Sequence, residues 1–424
     1  LGGMRSGLQA SLRGGYFDED RGNGTPGQLN ATITRWGGAN ASGMLFGGVW
    51  EPRGHPALTG YHQTFSAVLA GRAAERVTAL QWVGSNAGGG GVTWLRQSGR
   101  TQMLFGVSSR IARANLDEAS ISFAGVQAPV RRTRARQRGD GILAQGRFAA
   151  SPRVSLDAGV RVDYWRLSNL DNPASGVRKL VFVEPRVGAS FELAAGRVLR
   201  VAWLTGFRTP TMNELYRGFR VGNAQTQAND RLDPEESWGP EVAFTMRRDR
   251  FTGRAIFYAT RLTGAVYNRT LVSTPASIVR ERSNGQARAI GSELELEWRA
   301  GGGVALTMAW AFNDSKFTEG ELEGKRIPQV PRASGSIGAR AERGRWSAAG
   351  SVRIMGAQFD DDRNDFRLAA GALSDARVAW RWSRRLELFG AIENLFDEDI
   401  DTGRTPLRTI GSPRLARGGV QRRF

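Results

Sequence analysis

The chain has 424 residues, too many for one ordinary soluble core unless a single large closed barrel uses the whole length. It contains 55 glycines, 15 prolines and no cysteine, so structural disulfides and thiolate metal sites are excluded. The net charge of +19 rests almost wholly on dispersed arginines; in a soluble protein it would point to a polyanion such as nucleic acid.

The opening "LGGMRSGLQA" lacks the basic start, apolar core and cleavage site of a signal peptide, so the chain reads as a mature protein or a fragment. No stretch approaches the ~20 apolar residues of a membrane helix. Period-2 alternation dominates instead. It yields about 20 segments, long enough to cross a bilayer as tilted strands. The first ten are expected at roughly 3–16, 27–37, 40–50, 60–71, 75–84, 99–112, 117–129, 140–150, 153–166 and 181–194. The others fall at roughly 197–207, 236–250, 253–269, 286–299, 303–317, 331–343, 345–359, 372–382, 384–396 and 409–424.

Within the first half, His55 and His62 fall near an expected outer loop, with no Ser or Asp motif around them to suggest a protease or phospholipase. "GGGG" (88–91) lacks the GK[ST] of a phosphate loop and reads as flexible. "RRTRARQR" (131–138) reads as a solvated loop. In "PRVSLDAGVRVDYW" (152–165), Val154, Leu156, Val160 and Val162 oppose Ser155, Asp157, Arg161 and Asp163. "SELELEW" is sharper, with Leu294, Leu296 and Trp298 against Glu293, Glu295 and Glu297. Three glutamates on one strand face need water or counter-charges such as Arg377 and Arg381.

Connections alternate in length. Short ones lie at 194–197, 299–303, 343–345 and 383–385, and long ones at 208–235, 270–285, 318–330, 360–371 and 397–408. Trp298, Trp346, Trp380 and Trp382 all stand beside short turns, as an aromatic girdle at a membrane interface requires. The fold expected is all-β, a transmembrane antiparallel up-and-down β-barrel. "DDDRND" (360–365) reads as a solvated acidic loop or, alternatively, a divalent-cation site.

"GFRTPTMNELYR" (206–217), "LDPEES" (232–237) and "IGSELELEW" (290–298) resemble signature stretches of TonB-dependent outer-membrane receptors. So do "RIPQVPR" (326–332), "ENLFDED" (393–399), "TIGSPR" (409–414) and the terminal Phe424, all in the family's order. The resemblance implies an outer-membrane protein of a Gram-negative-type bacterium that imports a scarce nutrient, most often a ferric siderophore or cobalamin. It implies a plug domain inside a barrel of about 22 strands, pulled by the TonB complex through an N-terminal box. Against that pattern, residues 1–424 are expected to be the barrel domain, with the plug, TonB box and first hairpin outside it.

By the same resemblance, Glu241 and Glu293, on the polar face by alternation, would dock plug arginines. Tyr216 and Arg217, aromatic and cationic in the long loop 208–235, suit an anionic ferric chelate. Phe424 suits recognition by the barrel-insertion machinery, with Arg422 snorkelling at the interface. Lipid and lipopolysaccharide are the expected surroundings. No cofactor, metal site or catalytic group is indicated. Two other readings stand beside this one: a plugless passive pore, and an Arg-rich soluble polyanion binder.

Overall fold

Alternating residues with long β-runs leave the backbone one economical solution, hydrogen-bonding to neighbouring strands along their whole length. A computed structural model describes residues 7–68, 73–122, 124–172, 176–221, 224–274, 277–405 and 408–422. It contains one twenty-stranded sheet and two small hairpins. Two compact units divide the chain, the first mainly residues 1–150 and 157–186, the second mainly 187–210 and 219–424.

In the first unit lie β1 (Gln9–Gly22), β2 (Leu29–Leu45), β3 (Gly48–Val68), β4 (Glu75–Ser98), β5 (Thr101–Ser120) and β6 (Arg131–Ser151). Each pairs antiparallel with the next. β7 (Val154–Asn169) and β8 (Val177–Ala194) follow. The short helix α1 (Met212–Tyr216) also belongs to this unit.

The second unit continues with β9 (Arg197–Arg208), β10 (Phe219–Val221), β11 (Ala224–Gln227), β12 (Glu235–Arg248), β13 (Phe251–Ser273) and β14 (Ile278–Gly301). Next come β15 (Val304–Phe317), β16 (Ala333–Arg343), β17 (Trp346–Met355), β18 (Gln358–Phe359) and β19 (Arg367–Leu368). The last are β20 (Gly371–Arg381), β21 (Leu386–Glu393), β22 (Asp401–Gly403), β23 (Thr409–Ile410) and β24 (Leu415–Arg422). The long strands again pair antiparallel in order, with β9 joined to β12, β17 to β20 and β21 to β24. The β10–β11 hairpin adds to β14 in parallel.

Within each unit the turns at one end are minimal. Phe46–Gly47 and Gly302–Gly303 have positive φ at both positions, the type I′ geometry whose twist matches a hairpin. The other end carries the long connections. Cross-strand register keeps two faces apart over the whole second unit. Ala202, Glu241, Tyr258, Gly291 and Asn313 are successive partners on one face, while Val242 and Phe257 pair on the other. That second face exposes Phe257 (59%), Ile337 (52%) and Val420 (63%). A soluble monomer seldom shows so continuous an apolar surface.

The structure corrects several expectations. The segment expected at 27–37 and the first part of that at 40–50 form one strand, β2, while 48–50 open β3. GGGG (88–91) is not a flexible loop but mid-β4, where a Cβ at Gly91 would lie 2.6 Å from the Val107 carbonyl oxygen. Close approach of β4 and β5 therefore demands glycine there. Residues 131–138 are the start of β6, and within 270–285 the end of β13 pairs antiparallel with the start of β14. His55 and His62 lie inside β3, the latter with its ring 5.1 Å from that of Trp82.

The turn geometry generates a test. Gly302→Ala faces open space and carries only left-handed strain of roughly 1–2 kcal/mol. Gly303→Ala adds a clash with the Glu342 carbonyl oxygen. Heat-dependent gel mobility in detergent should show the unfolding temperature falling further for Gly303→Ala; equal shifts would contradict the register.

Candidate functional site

Two arrangements in the second unit carry chemistry: the charged sheet face and the loop layer above it. On the charged face several ions are paired. Arg353 and Asp375 are 3.3 Å apart, Arg377 and Glu387 2.9 Å, Arg299 and Glu297 2.9 Å, and Arg417 also meets Glu393. Glu241 and Glu293 differ. Among the described residues neither has an ion pair or hydrogen bond, and they stand two strands and one side-chain position apart, about 12 Å. Tyr258 lies between them in the register, its ring lying against Gly291.

At the long-loop end a pocket of 940 Å³ is lined by Asp233, Glu236, Tyr267, Arg269, Asn284 and Glu321, among others. Tyr267 packs on Phe317 at 4.8 Å, and Arg269 reaches Glu321 at 3.0 Å. The sequence reading missed Tyr267 and Arg269 because of a bulge. The register shift between Leu262 and Ala265 moves the charged face from even to odd residues along β13. Gly264, at φ +65° with Asn284 donating to its carbonyl, is the one local sign.

The loop layer is held by buried carboxylates and amides. Asp362, 2% exposed, accepts from the Thr270 N–H (2.9 Å) and hydroxyl (2.5 Å), while Arg363 donates to the Thr270 carbonyl. Asp361 accepts from the N–H groups of Arg363, Asp365 and Phe366. Asp360 takes both N–H groups of Arg404 and Thr405, the Thr405 hydroxyl and the Gln329 amide. Burial pushes Asp360 upward, but the hydrogen bonds from Thr405, Arg404 and Gln329 outweigh it and hold its carboxyl below the usual range. DDDRND is therefore neither a solvated loop nor, among the described residues, part of a metal-binding cluster.

The signature stretches meet in the same layer. Asn364 donates to the Arg326 carbonyl and accepts from its N–H, tying RIPQVPR to DDDRND. Asn394, buried at φ +49°, donates to the carbonyls of Glu398 and Ser412, and the Arg414 N–H bonds Asp397. ENLFDED and TIGSPR are thus joined at Asn394 and at Asp397. In LDPEES, the Asp233 N–H donates to Asn284, whose amide returns a bond to the Asp233 carbonyl.

In the first unit, Thr211 and Glu214 form a reciprocal cap that starts α1. Pro210 and Leu215 are fully buried, so this part of the loop is anchored. Tyr216 ends the helix and Arg217 follows it, half-buried. Burial lowers the Arg217 pKa, with Glu118 and Tyr61 opposing.

Trp346 stacks on Trp380 at 6.0 Å, and Trp380 meets Trp382 at 5.3 Å, all beside the short turns. Trp298, 49% exposed, lies on the apolar face near the Gly302–Gly303 turn. Phe424 lies outside the described residues.

An antiparallel sheet with one exposed apolar face, one charged face and tight turns at a single end defines a membrane β-barrel. The family described as TonB dependent receptor-like, beta-barrel matches residues 4–395, and the chain belongs to it. That family is one of transport receptors of the Gram-negative outer membrane, not of enzymes. The pesticin receptor of Yersinia enterocolitica serotype O:8 is 31% identical over 140 residues, 31% of this chain and 20% of that receptor. The copper transporter OprC matches with a TM-score of 0.83 at 16% identity, covering 98% of this chain and 70% of that one. The ferric yersiniabactin uptake receptor FyuA from Yersinia pestis matches at 0.71 and 18% identity, covering 95% and 63%.

Two outcomes test the loop layer. Asp362→Ala leaves the Thr270 N–H and hydroxyl buried without acceptors, roughly 1–3 kcal/mol each. Protease cleavage within 356–370 should quicken while heat-dependent mobility persists. For Asp360 the folded pKa is depressed, so its contribution is present above the ordinary aspartate value of about 3.9 and lost as pH falls through the lower folded value. Hydrogen exchange at the Arg404 and Thr405 amides should hold its protection down to about pH 4 and lose it only below; loss near pH 6 would contradict the assignment.

Proposed function

We propose that this chain is the barrel domain of a receptor for energised uptake of a ferric siderophore or, failing that, cobalamin. The observation that carries the reading is the family match across residues 4–395. Two structurally similar proteins, the copper transporter OprC and the ferric yersiniabactin uptake receptor FyuA, support a metal or metal-chelate cargo. A pocket of 940 Å³ at the long-loop end falls within the size range of small-molecule sites. It presents an aromatic ring, Tyr267, on which a chelate can pack, beside the Arg269–Glu321 ion pair. Separately, Tyr216 and Arg217 in the first unit would touch an anionic chelate.

In this reading the plug and its TonB-contacting box lie in the part of the receptor's length that the chain does not span. Glu241 and Glu293, which form no ion pair among the described residues, would receive plug arginines. Trp298, Trp346, Trp380 and Trp382 would anchor the barrel at the periplasmic interface, and Phe424 would be read by the insertion machinery.

The test uses the complete receptor in iron-starved cells. Radiolabelled ferric siderophore should accumulate, and a protonophore or loss of TonB should abolish the accumulation. Uptake indifferent to both would overturn the energised reading in favour of a pore. Paired reversal, Glu241→Lys with Glu293→Lys, should cut uptake by about tenfold at unchanged surface abundance, equivalent to ~1.4 kcal/mol of plug–wall interaction. Unchanged uptake would remove the docking role.

A further inference from the structure

The stretch 131–138 is a strand, and its register gives its arginines a direction. Along β6, Arg132, Arg134, Arg136 and Arg138 share one face with Asp140 and then Ile142, Ala144 and Phe148. That is the apolar face of the first unit, where Val107 (56%) and Ile142 (59%) are exposed register partners. The opposite face carries Arg161 and the buried Asp163. β6 therefore passes from an apolar stripe into an arginine stripe on the same outward surface.

The height of that change is informative. Arg138 stands ten residues from Phe148, the outward residue near the β4–β5 turn. At ~3.3 Å per residue and a tilt near 40°, this is about 25 Å, the thickness of the apolar band of an outer-membrane barrel. The arginines lie toward the long-connection end, the extracellular one.

Their charge is incompletely balanced. Arg132 faces Asp117 (3.8 Å), Arg134 meets Asp171 (2.7 Å), and Arg138 and Arg166 share Asp140 (3.0 and 3.1 Å). Arg113 and Arg136 are direct cross-strand partners on this face, and among the described residues neither has an ion pair or hydrogen bond. Directly opposed like charges destabilise a sheet, with Cβ atoms about 4.5–5.5 Å apart. An anion held between two guanidinium forks reverses that sign.

We propose that Arg113 and Arg136 clasp a phosphate of lipid A in the outer leaflet, with Arg138 and Arg166 flanking it. Continuity with the lipid-facing stripe selects a lipid phosphate over a soluble anion: the acyl chains would lie along Val107, Ile142 and Val160 while the headgroup meets the arginines. The inference rests on the outer-membrane location and not on the cargo.

The test is binding of bisphosphorylated lipid A to the detergent-extracted protein, read by native mass spectrometry and by the shift in unfolding temperature. Lipid A should bind and stabilise, whereas dephosphorylated lipid A and phosphatidylethanolamine should not. Arg113→Gln with Arg136→Gln should weaken binding at least about tenfold, and Arg113→Lys with Arg136→Lys should keep much of it. Arg100→Gln with Arg153→Gln, at the opposite end, should bind as the parent does. Equal binding by the Gln variant and the parent, or equal stabilisation by inorganic phosphate alone, would overturn the proposal.

Discussion

Backbone hydrogen bonding is the constraint on which everything else rests. In hydrocarbon each unpaired N–H or C=O costs several kcal/mol, so a chain without apolar helices can cross only as paired strands. The long strands satisfy this through extended antiparallel registers, up to twenty residue pairs between β4 and β5. Once the sheet is fixed, alternation decides what each side chain meets. One face holds Phe257, Ile337 and Val420 against lipid, and the other collects Glu241, Tyr258 and Glu293. A single bulge then has large consequences, since the shift before Ala265 carries Tyr267 and Arg269 to the charged side.

Above the membrane the strands no longer bury apolar side chains, and a different chemistry holds the chain. There the loops are joined by carboxylates that accept, and carboxamides that both accept and donate, hydrogen bonds to groups far along the chain. Asp360 links residues 329, 404 and 405, Asp362 links the loop to Thr270, and Asn394 gathers Glu398 and Ser412. Such hubs fix loop ends and leave the segments between them free to differ. The signature stretches of the sequence are largely this joinery, which explains why they mark the family better than they mark a ligand.

The architecture was legible because a membrane-spanning strand must alternate, and the faces of Glu241 and Glu293 followed from the same rule. The extent of the strands was not legible, since beyond the bilayer both faces turn polar and the alternation loses its contrast. RRTRARQR therefore read as a loop although it alternates, and 270–285 was lost in the same way. GGGG misled for another reason: glycine disfavours a strand on average, but here β5 approaches too closely for a Cβ. The carboxylates of DDDRND read as solvated because composition does not reveal that their partners come from residues 270, 329 and 404.

The net charge of +19 takes its meaning from this geometry. The cations are nearly all arginine, with Lys179, Lys316 and Lys325 the exceptions. A guanidinium is weakly hydrated, stays charged when partly buried and can stack on a ring while its N–H groups reach a carboxylate. Arg377 does both, lying 5.1 Å from the Phe389 ring and 2.9 Å from Glu387. Arg166 does so between Tyr164 and Asp140, and Arg110 lies 4.3 Å from the Trp165 ring. A lysine in those places would have to shed tightly bound water for a single point contact. On a sheet whose faces meet lipid on one side and a crowded charged wall on the other, arginine is the cation that can be half-buried without losing its partners.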